Sequence, residues 1–259
     1  MNGPVAPPHL ELAHKLADTA GTILRRYFRQ TLAIDDKADL TPVTIADREA
    51  EGAMRVLIES AFPAHGIIGE EQGALREHAD YVWLLDPIDG TKSFISGVPL
   101  FGTLIALTYR GSPVLGLIDQ PILRERWIGI EGEGTRLNDR PIACRPCGTL
   151  AQATLFCTSP DMFGVEEAKG FQRLKAAVKL TRFGADCYAY ALLATGFVDL
   201  VVEANLKPYD WSALAPVISG AGGSITDWRG AALTLSSDGR VIACGDRTLS
   251  VPARKLLNA

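Results

Sequence analysis

The sequence predicts an α/β fold, of the mixed α+β kind, on three observations. Residues 9–61 carry two runs of helical apolar spacing, and from Ile67 the pattern changes to short apolar runs that end in acidic residues. Beyond residue 150, strand-like and helix-like runs alternate. With 259 residues, 47% of them hydrophobic, the chain can bury the core of one large unit or two intimate subdomains. A segment rich in Pro, Cys and Gly at 141–149 suggests the division: residues 1–145 as an N-terminal α+β subdomain and 146–259 as a C-terminal α/β subdomain, together one unit.

Taken in order, Ala13, Leu16, Ala17, Ala20, Ile23, Leu24, Tyr27 and Phe28 predict a long amphipathic helix over residues 9–30, its polar face solvated. A polar loop from Lys37 to Pro42 follows. A second helix is expected from Thr44–Asp47 to Ala61, with Ala50, Ala53, Met54, Leu57 and Ile58 inward and Pro63 ending it. Gly66–Gly69 and Tyr81–Leu85 look like buried strands delivering carboxylates at their ends. From 102 to 130 the runs Thr103–Leu107, through Ile118, and Trp127–Ile130, with a turn at Arg110–Pro113, predict an antiparallel, hairpin-rich section. Strands near 153–157 and 197–202 then alternate with helices near 164–178 and 186–195. A helix from Trp211 to Gly220, strands at 224–227 and 241–244, and a last helix from 246 to 257 complete the chain.

A formal net charge of −4 gives no general attraction to nucleic acid or anionic membrane, so an anionic ligand must be captured locally, most simply by a bound cation. No stretch approaches the roughly 20 apolar residues of a membrane span, and the N-terminus has no basic flank followed by an apolar run. Five scattered cysteines include a single Cys144–Cys147 pair with no partner pair, which reads as reduced thiols and favours the cytoplasm. The four histidines show neither metalloprotease nor serine-hydrolase spacing, and no phosphate-binding P-loop is present.

The chemistry concentrates in Asp86-Pro87-Ile88-Asp89-Gly90-Thr91, where two carboxylates follow an apolar strand and a Gly-Thr pair leads toward a helix start. Oxygen ligands of this kind suit Mg²⁺ or Mn²⁺, and the N–H groups at Gly90 and Thr91 suit phosphate oxygens. By itself the segment also reads as a turn with an N-cap. Glu70-Glu71 after another strand and Asp210 at a helix start add acids that would repel one another without a cation. The three-residue spacing of Asp86 and Asp89 disfavours a haloacid-dehalogenase-type phosphatase, which needs two.

Glu70-Glu71, Trp83 to Thr91, and Asp210-Trp211-Ser212-Ala213, in this order, resemble the inositol monophosphatase family over nearly the whole chain. Lys37, Asp39 and Pro42–Asp47 are similar to that family's N-terminal loop, and Gly132–Asn138 to its post-hairpin loop. The resemblance implies a layered αβαβα sandwich of the inositol monophosphatase/fructose-bisphosphatase type and a Mg²⁺-dependent phosphate monoester hydrolase with two or three ions per site. Glu70, Asp86 and the Ile88 carbonyl would hold one ion, and Asp86, Asp89 and Asp210 a second, with a third near Glu70. Thr91, paired with Asp47, and Glu70 would orient and deprotonate the attacking water.

The stretches Arg182–Tyr190 and Asp199–Asp210 look like the histidinol-phosphate phosphatase branch. This implies L-histidinol phosphate as substrate, in histidine biosynthesis, contacted by Arg182, Asp186 and Glu203 beyond the phosphate, which Ile88, Asp89, Gly90, Thr91 and Asp210 would face. The residues also allow Asp186 as a helix N-cap, Glu203 as a plain strand end and Arg182 as an ion-pair partner. The alternatives are an inositol-1-monophosphatase or a broad sugar/polyol phosphatase, and, from another class, a non-catalytic interaction protein on the same fold. The family likeness also implies a homodimer.

Overall fold

The computed structural model describes residues 4–31, 34–36 and 42–259, with the backbone alone for 34–36 and 42. Lys37 and Asp39 lie outside the described residues. The helix α1 (Pro7–Tyr27) is followed by the short strands β1 (Ile34–Asp36) and β2 (Pro42–Thr44), which pair as a ribbon, and by α2 (Ile45–Ala61). Pro7 opens α1 at the position where a missing N–H costs nothing. Thr44 caps α2: its Oγ1 accepts the Ala46 N–H at 3.1 Å, while Asp47 Oδ2 accepts the Thr44 N–H at 2.8 Å.

Next come β3 (Gly66–Gly69), β4 (Gly73–Leu75), β5 (Tyr81–Asp89), the short helix α3 (Thr91–Ile95), β6 (Gly102–Tyr109), β7 (Ser112–Gln120), β8 (Glu125–Ile130), β9 (Gly134–Leu137) and β10 (Arg140–Ile142). They build an eight-stranded sheet in the order β10-β9-β8-β7-β6-β5-β3-β4, antiparallel except for the β3–β5 pair. After it come β11 (Thr154–Cys157), α4 (Val165–Ala177), β12 (Leu180–Phe183), α5 (Asp186–Ala194), β13 (Leu200–Glu203), α6 (Pro208–Trp211), α7 (Leu214–Gly220), β14 (Ser224–Thr226), β15 (Val241–Cys244) and α8 (Ser250–Leu257). Their strands form a second sheet in the order β12-β11-β13-β15-β14.

Strand periodicity sorts the core into layers. Along β5, Trp83 and Leu85 face α1 and α2, whereas Val82 and Leu84 face a middle layer holding α5 and α7. Along β13, Val201 faces that same middle layer, while Leu200 and Val202 face Phe171 and Leu174 of α4 and Ala253 and Leu257 of α8. The result is the expected αβαβα sandwich, each sheet being covered on both faces. α7 lies so close to the first sheet that a Cβ on Gly116 would fall 2.0 Å from the Ala213 carbonyl oxygen.

The elements differ from the sequence reading in two ways. The helix expected from Trp211 is two helices, α6 already starting at Pro208 and α7 at Leu214, joined by Ser212 and Ala213, which keep helical dihedrals where Ala213 lies against Gly116. The strand β9, in the stretch read as a post-hairpin loop, and the edge strands β4, β10 and β12 were not anticipated; each is three or four residues long, too short to show a period. All five cysteines are free thiols, as expected. No helix among the described residues is long and apolar enough to cross a membrane.

His65 packs in an aromatic cluster, stacked 4.5 Å from Phe62, and its Nδ1 accepts the Trp83 indole N–H at 3.2 Å. Burial, with help from neighbouring His9, lowers its pKa to about 4. The unfolded chain therefore binds a proton near pH 6.5 that the native state refuses until about pH 4. Stability from this group is full above pH 6.5 and is lost as pH falls toward 4. We expect the Tm of His65→Gln to depend less on pH across that window than wild type; parallel curves would refute this.

Candidate active site

β5 is the element that builds the site. In a regular strand Asp86 and Asp89, three residues apart, would point to opposite faces. The ladder with β6 slips between them: Asp86 pairs with Leu104 and Asp89 with Gly102. Pro87 cannot donate to the ladder, so a bulge is favoured there. The Thr103 hydroxyl donates to the Pro87 carbonyl at 2.9 Å, and the Ile88 N–H donates to Asp86 Oδ1 at 2.9 Å. The bulge turns both carboxylates to one side.

α6 brings the third acid. Asp210 sits in its first turn and accepts the Lys207 N–H on Oδ2 at 2.7 Å. Oxygens of Asp86, Asp89 and Asp210 all lie within 4.8 Å of one another. Burial raises all three pKa values, and the charge of Glu70 adds to the effect on Asp86 and Asp210; the Asp210 carboxyl is pushed up to about 7. Hard carboxylate oxygens this close repel unless a cation joins them, so the donor set fits one or more divalent ions.

Glu70 follows β3, and its N–H donates to the Leu85 carbonyl at 3.1 Å, which lays its loop alongside Asp86. The loop is gripped from below by Glu51, a fully buried carboxylate of α2 that the sequence reading missed. Glu51 accepts the Glu71 and Gln72 N–H groups at 2.7 and 3.0 Å and pairs with Arg55 Nε at 2.8 Å. A helix-interior Glu gives no sequence signal of this role, since only the fold reveals where its side chain ends.

The expected pairing of Thr91 with Asp47 is not formed. Asp47 is spent on its helix cap, where Oδ2 also accepts the Thr44 hydroxyl at 2.6 Å, and Thr91 Oγ1 donates to the Ile88 carbonyl at 3.1 Å. Both residues nonetheless adjoin the site: Asp47 has its pKa raised by burial and, in part, by Glu70.

α5 closes the opposite wall. Its Cys187 N–H donates to Asp89 Oδ2 at 2.5 Å, and Asp186 Oδ2 accepts the Ser93 hydroxyl of α3 at 2.9 Å. Gly90, with φ of 91°, passes under Asp186. A cavity of about 180 Å³ opens here, its lining including Asp89, Asp210, Asp186, Glu203, Tyr190 and Thr158. Glu203 is buried, accepting the Thr158 N–H at 2.9 Å and the Tyr190 hydroxyl at 3.0 Å, and burial raises its pKa. Tyr190 and Ser93 were not anticipated, because each reaches the site from the body of a helix.

Arg182, expected at the substrate, does not line this cavity. The register of β12 sets it beside Phe156, its guanidinium 5.8 Å from the ring, on an exposed edge strand. Among the described residues it forms no ion pair either.

The chain matches the model of the inositol monophosphatase family over residues 7–257. It is 53% identical over 255 residues to the chloroplastic bifunctional phosphatase IMPL2 of Arabidopsis thaliana, covering 95% of this chain and 74% of that one. A histidinol-phosphatase of Chlorobaculum parvum is 36% identical, covering 91% and 92%. Among solved structures, an inositol monophosphatase from Zymomonas mobilis superposes with a TM-score of 0.90 at 48% identity, covering 96% of this chain and 97% of that one. With its carboxylate cluster and its layered fold, the chain belongs to the inositol monophosphatase family, phosphatases that hydrolyse phosphoric monoesters.

Proposed function

We propose that the protein is an L-histidinol-phosphate phosphatase, converting L-histidinol phosphate and water to L-histidinol and phosphate. One observation carries the reading. The cavity beside the carboxylate cluster is lined by four acids, Asp89, Asp186, Glu203 and Asp210, and by no Lys or Arg. A phosphate dianion enters such a cavity only with cations. Divalent ions on Asp89 and Asp210 neutralise the phosphate, but Asp186, with Lys92 as its nearby cation, and the hydrogen-bonded Glu203 then add negative charge on the side of the alcohol part of the substrate. An alcohol bearing an ammonium and an imidazole balances that charge, and a neutral polyol does not. The histidinol-phosphatase of Chlorobaculum parvum among the relatives supports the same choice.

In this reading Glu70, Asp86, the Ile88 carbonyl, Asp89 and Asp210 hold Mg²⁺. When bound, the ion supplies Lewis-acid polarisation of the phosphoryl group and offsets its charge. Glu70 accepts the proton of the attacking water, and the N–H groups at Gly90 and Thr91 orient phosphate oxygens. Asp186 receives the substrate ammonium. Glu203 acts at longer range: it fixes the Tyr190 hydroxyl on the wall and adds its charge.

The likeness to the Zymomonas mobilis inositol monophosphatase motivates a second reading, hydrolysis of inositol 1-phosphate. Steady-state kinetics on both esters separates them. We expect kcat/KM for L-histidinol phosphate to exceed that for myo-inositol 1-phosphate by at least about tenfold, 1.4 kcal/mol. A preference for the inositol ester overturns the substrate assignment and leaves the phosphatase standing.

A further inference from the structure

Ser93 has no part in holding the phosphate or the ions, yet it joins the two halves of the site. It stands on α3, directly after the Asp89-Gly90-Thr91 turn, and its hydroxyl donates to Asp186 Oδ2 at 2.9 Å across 93 residues of sequence. Asp186 needs such a tether. Gly184, Ala185 and Asp186 have φ of 92°, 84° and 45°, three successive residues in the left-handed region, where only the first is a glycine. A backbone so strained keeps its shape only when its surroundings fix it. The contacts that do so include Gly184 N–H on the Cys157 and Thr158 carbonyls, Cys187 N–H on Asp89, the close passage of Gly90, and the Ser93 hydroxyl.

Only the last of these touches the carboxylate with a hydrogen bond. It occupies Oδ2, and Oδ1 accepts none among the described residues. We infer that Ser93 is a specificity-determining positioning residue: by holding Oδ2 it turns Oδ1 of Asp186 toward the cavity, where it receives a cationic group of the substrate's alcohol. This rests on the histidinol-phosphate reading above. The chemical class selected is a phosphate monoester with an ammonium a few bonds from the ester oxygen.

The test compares L-histidinol phosphate with its N-acetyl derivative, the same ester without the ammonium charge, on wild type, Ser93→Ala and Ser93→Thr. The readout is the ratio of the two kcat/KM values, which a general loss of folding or of metal would leave unchanged. We expect wild type to favour the charged ester. Ser93→Ala should lower the ratio about tenfold, the worth of a hydrogen bond to a charged group, through KM more than kcat, and Ser93→Thr should restore most of it. If wild type favours the charged ester and Ser93→Ala keeps the full ratio, or loses activity on both esters equally, the role of Ser93 is overturned while the substrate reading survives. If wild type does not distinguish the esters, the substrate reading fails and the inference falls with it.

Discussion

Asp86→Asn is expected to lower kcat on any phosphate monoester by at least about 10³-fold at ordinary Mg²⁺, with the fold intact. Asp86 is only 2% exposed, and its Oδ1 accepts the Ile88 N–H, a bond that an asparagine oxygen can also accept. The bulge of β5 is therefore kept, and what disappears is one negative charge from a cluster whose three carboxylates lie within 4.8 Å. That charge serves both proposed ions, so metal affinity and chemistry fall together. The metal-free variant should melt no lower than metal-free wild type, because a buried repulsion has been removed. The rise in Tm that Mg²⁺ gives wild type by mass action should shrink. Near-normal turnover in Asp86→Asn would refute the site. Absence of Mg²⁺ binding to wild type in calorimetry, together with no phosphatase activity at saturating Mg²⁺, would instead favour a non-catalytic role.

The second large effect is expected at Gly90. Its φ of 91° and ψ of 42° lie in the left-handed region, and a Cβ there would fall 2.8 Å from Asp186 Oδ2 and 3.1 Å from Asp186 Cβ. Gly90→Ala thus pays backbone strain of about 1–2 kcal/mol and must also push Asp186 or the turn aside. Because Asp89 and Thr91 flank the residue, any shift of the turn misplaces phosphate and metal ligands at once. Displacements near 1 Å cost about 10²-fold in comparable sites. We therefore expect kcat/KM to fall about 10²-fold on the uncharged ester and further on the charged one, and Tm to fall by about 2–4 °C per kcal/mol of strain. Because the new Cβ presses on Asp186 itself, the ratio between esters should fall here as in Ser93→Ala, but with a loss of activity on both esters that Ser93→Ala does not share. Wild-type kcat/KM in Gly90→Ala would show that the turn tolerates a side chain and that its contact with Asp186 has no catalytic weight.

The sequence by itself determined the mixed α/β class, the principal helices, and the placing of Glu70, Asp86, Asp89 and Asp210 at the ends of strands and the head of a helix, while the layered sandwich came from family likeness. These are legible because burial imposes periods of 3.6 and 2 on apolar residues, and because a run of apolar residues ending in acids has few stable uses without a cation. Family likeness added the order of the motifs. It also suggested a Thr91–Asp47 pair, which is not formed, and Arg182 at the substrate, whereas Arg182 does not line the cavity. Asp47 is committed to the cap of α2, and strand register sends Arg182 to Phe156.

Tertiary structure alone decided the rest. A bulge at Pro87–Ile88 is what turns Asp86 and Asp89 to one side, and it exists only in the pairing of β5 with β6. Glu51 under the Glu70 loop, Ser93 on Asp186, and Tyr190 on Glu203 are contacts between residues 13 to 93 positions apart. No local pattern encodes such a meeting, because a side chain's partner is fixed by how layers stack, whereas its periodicity is fixed by its own helix or strand.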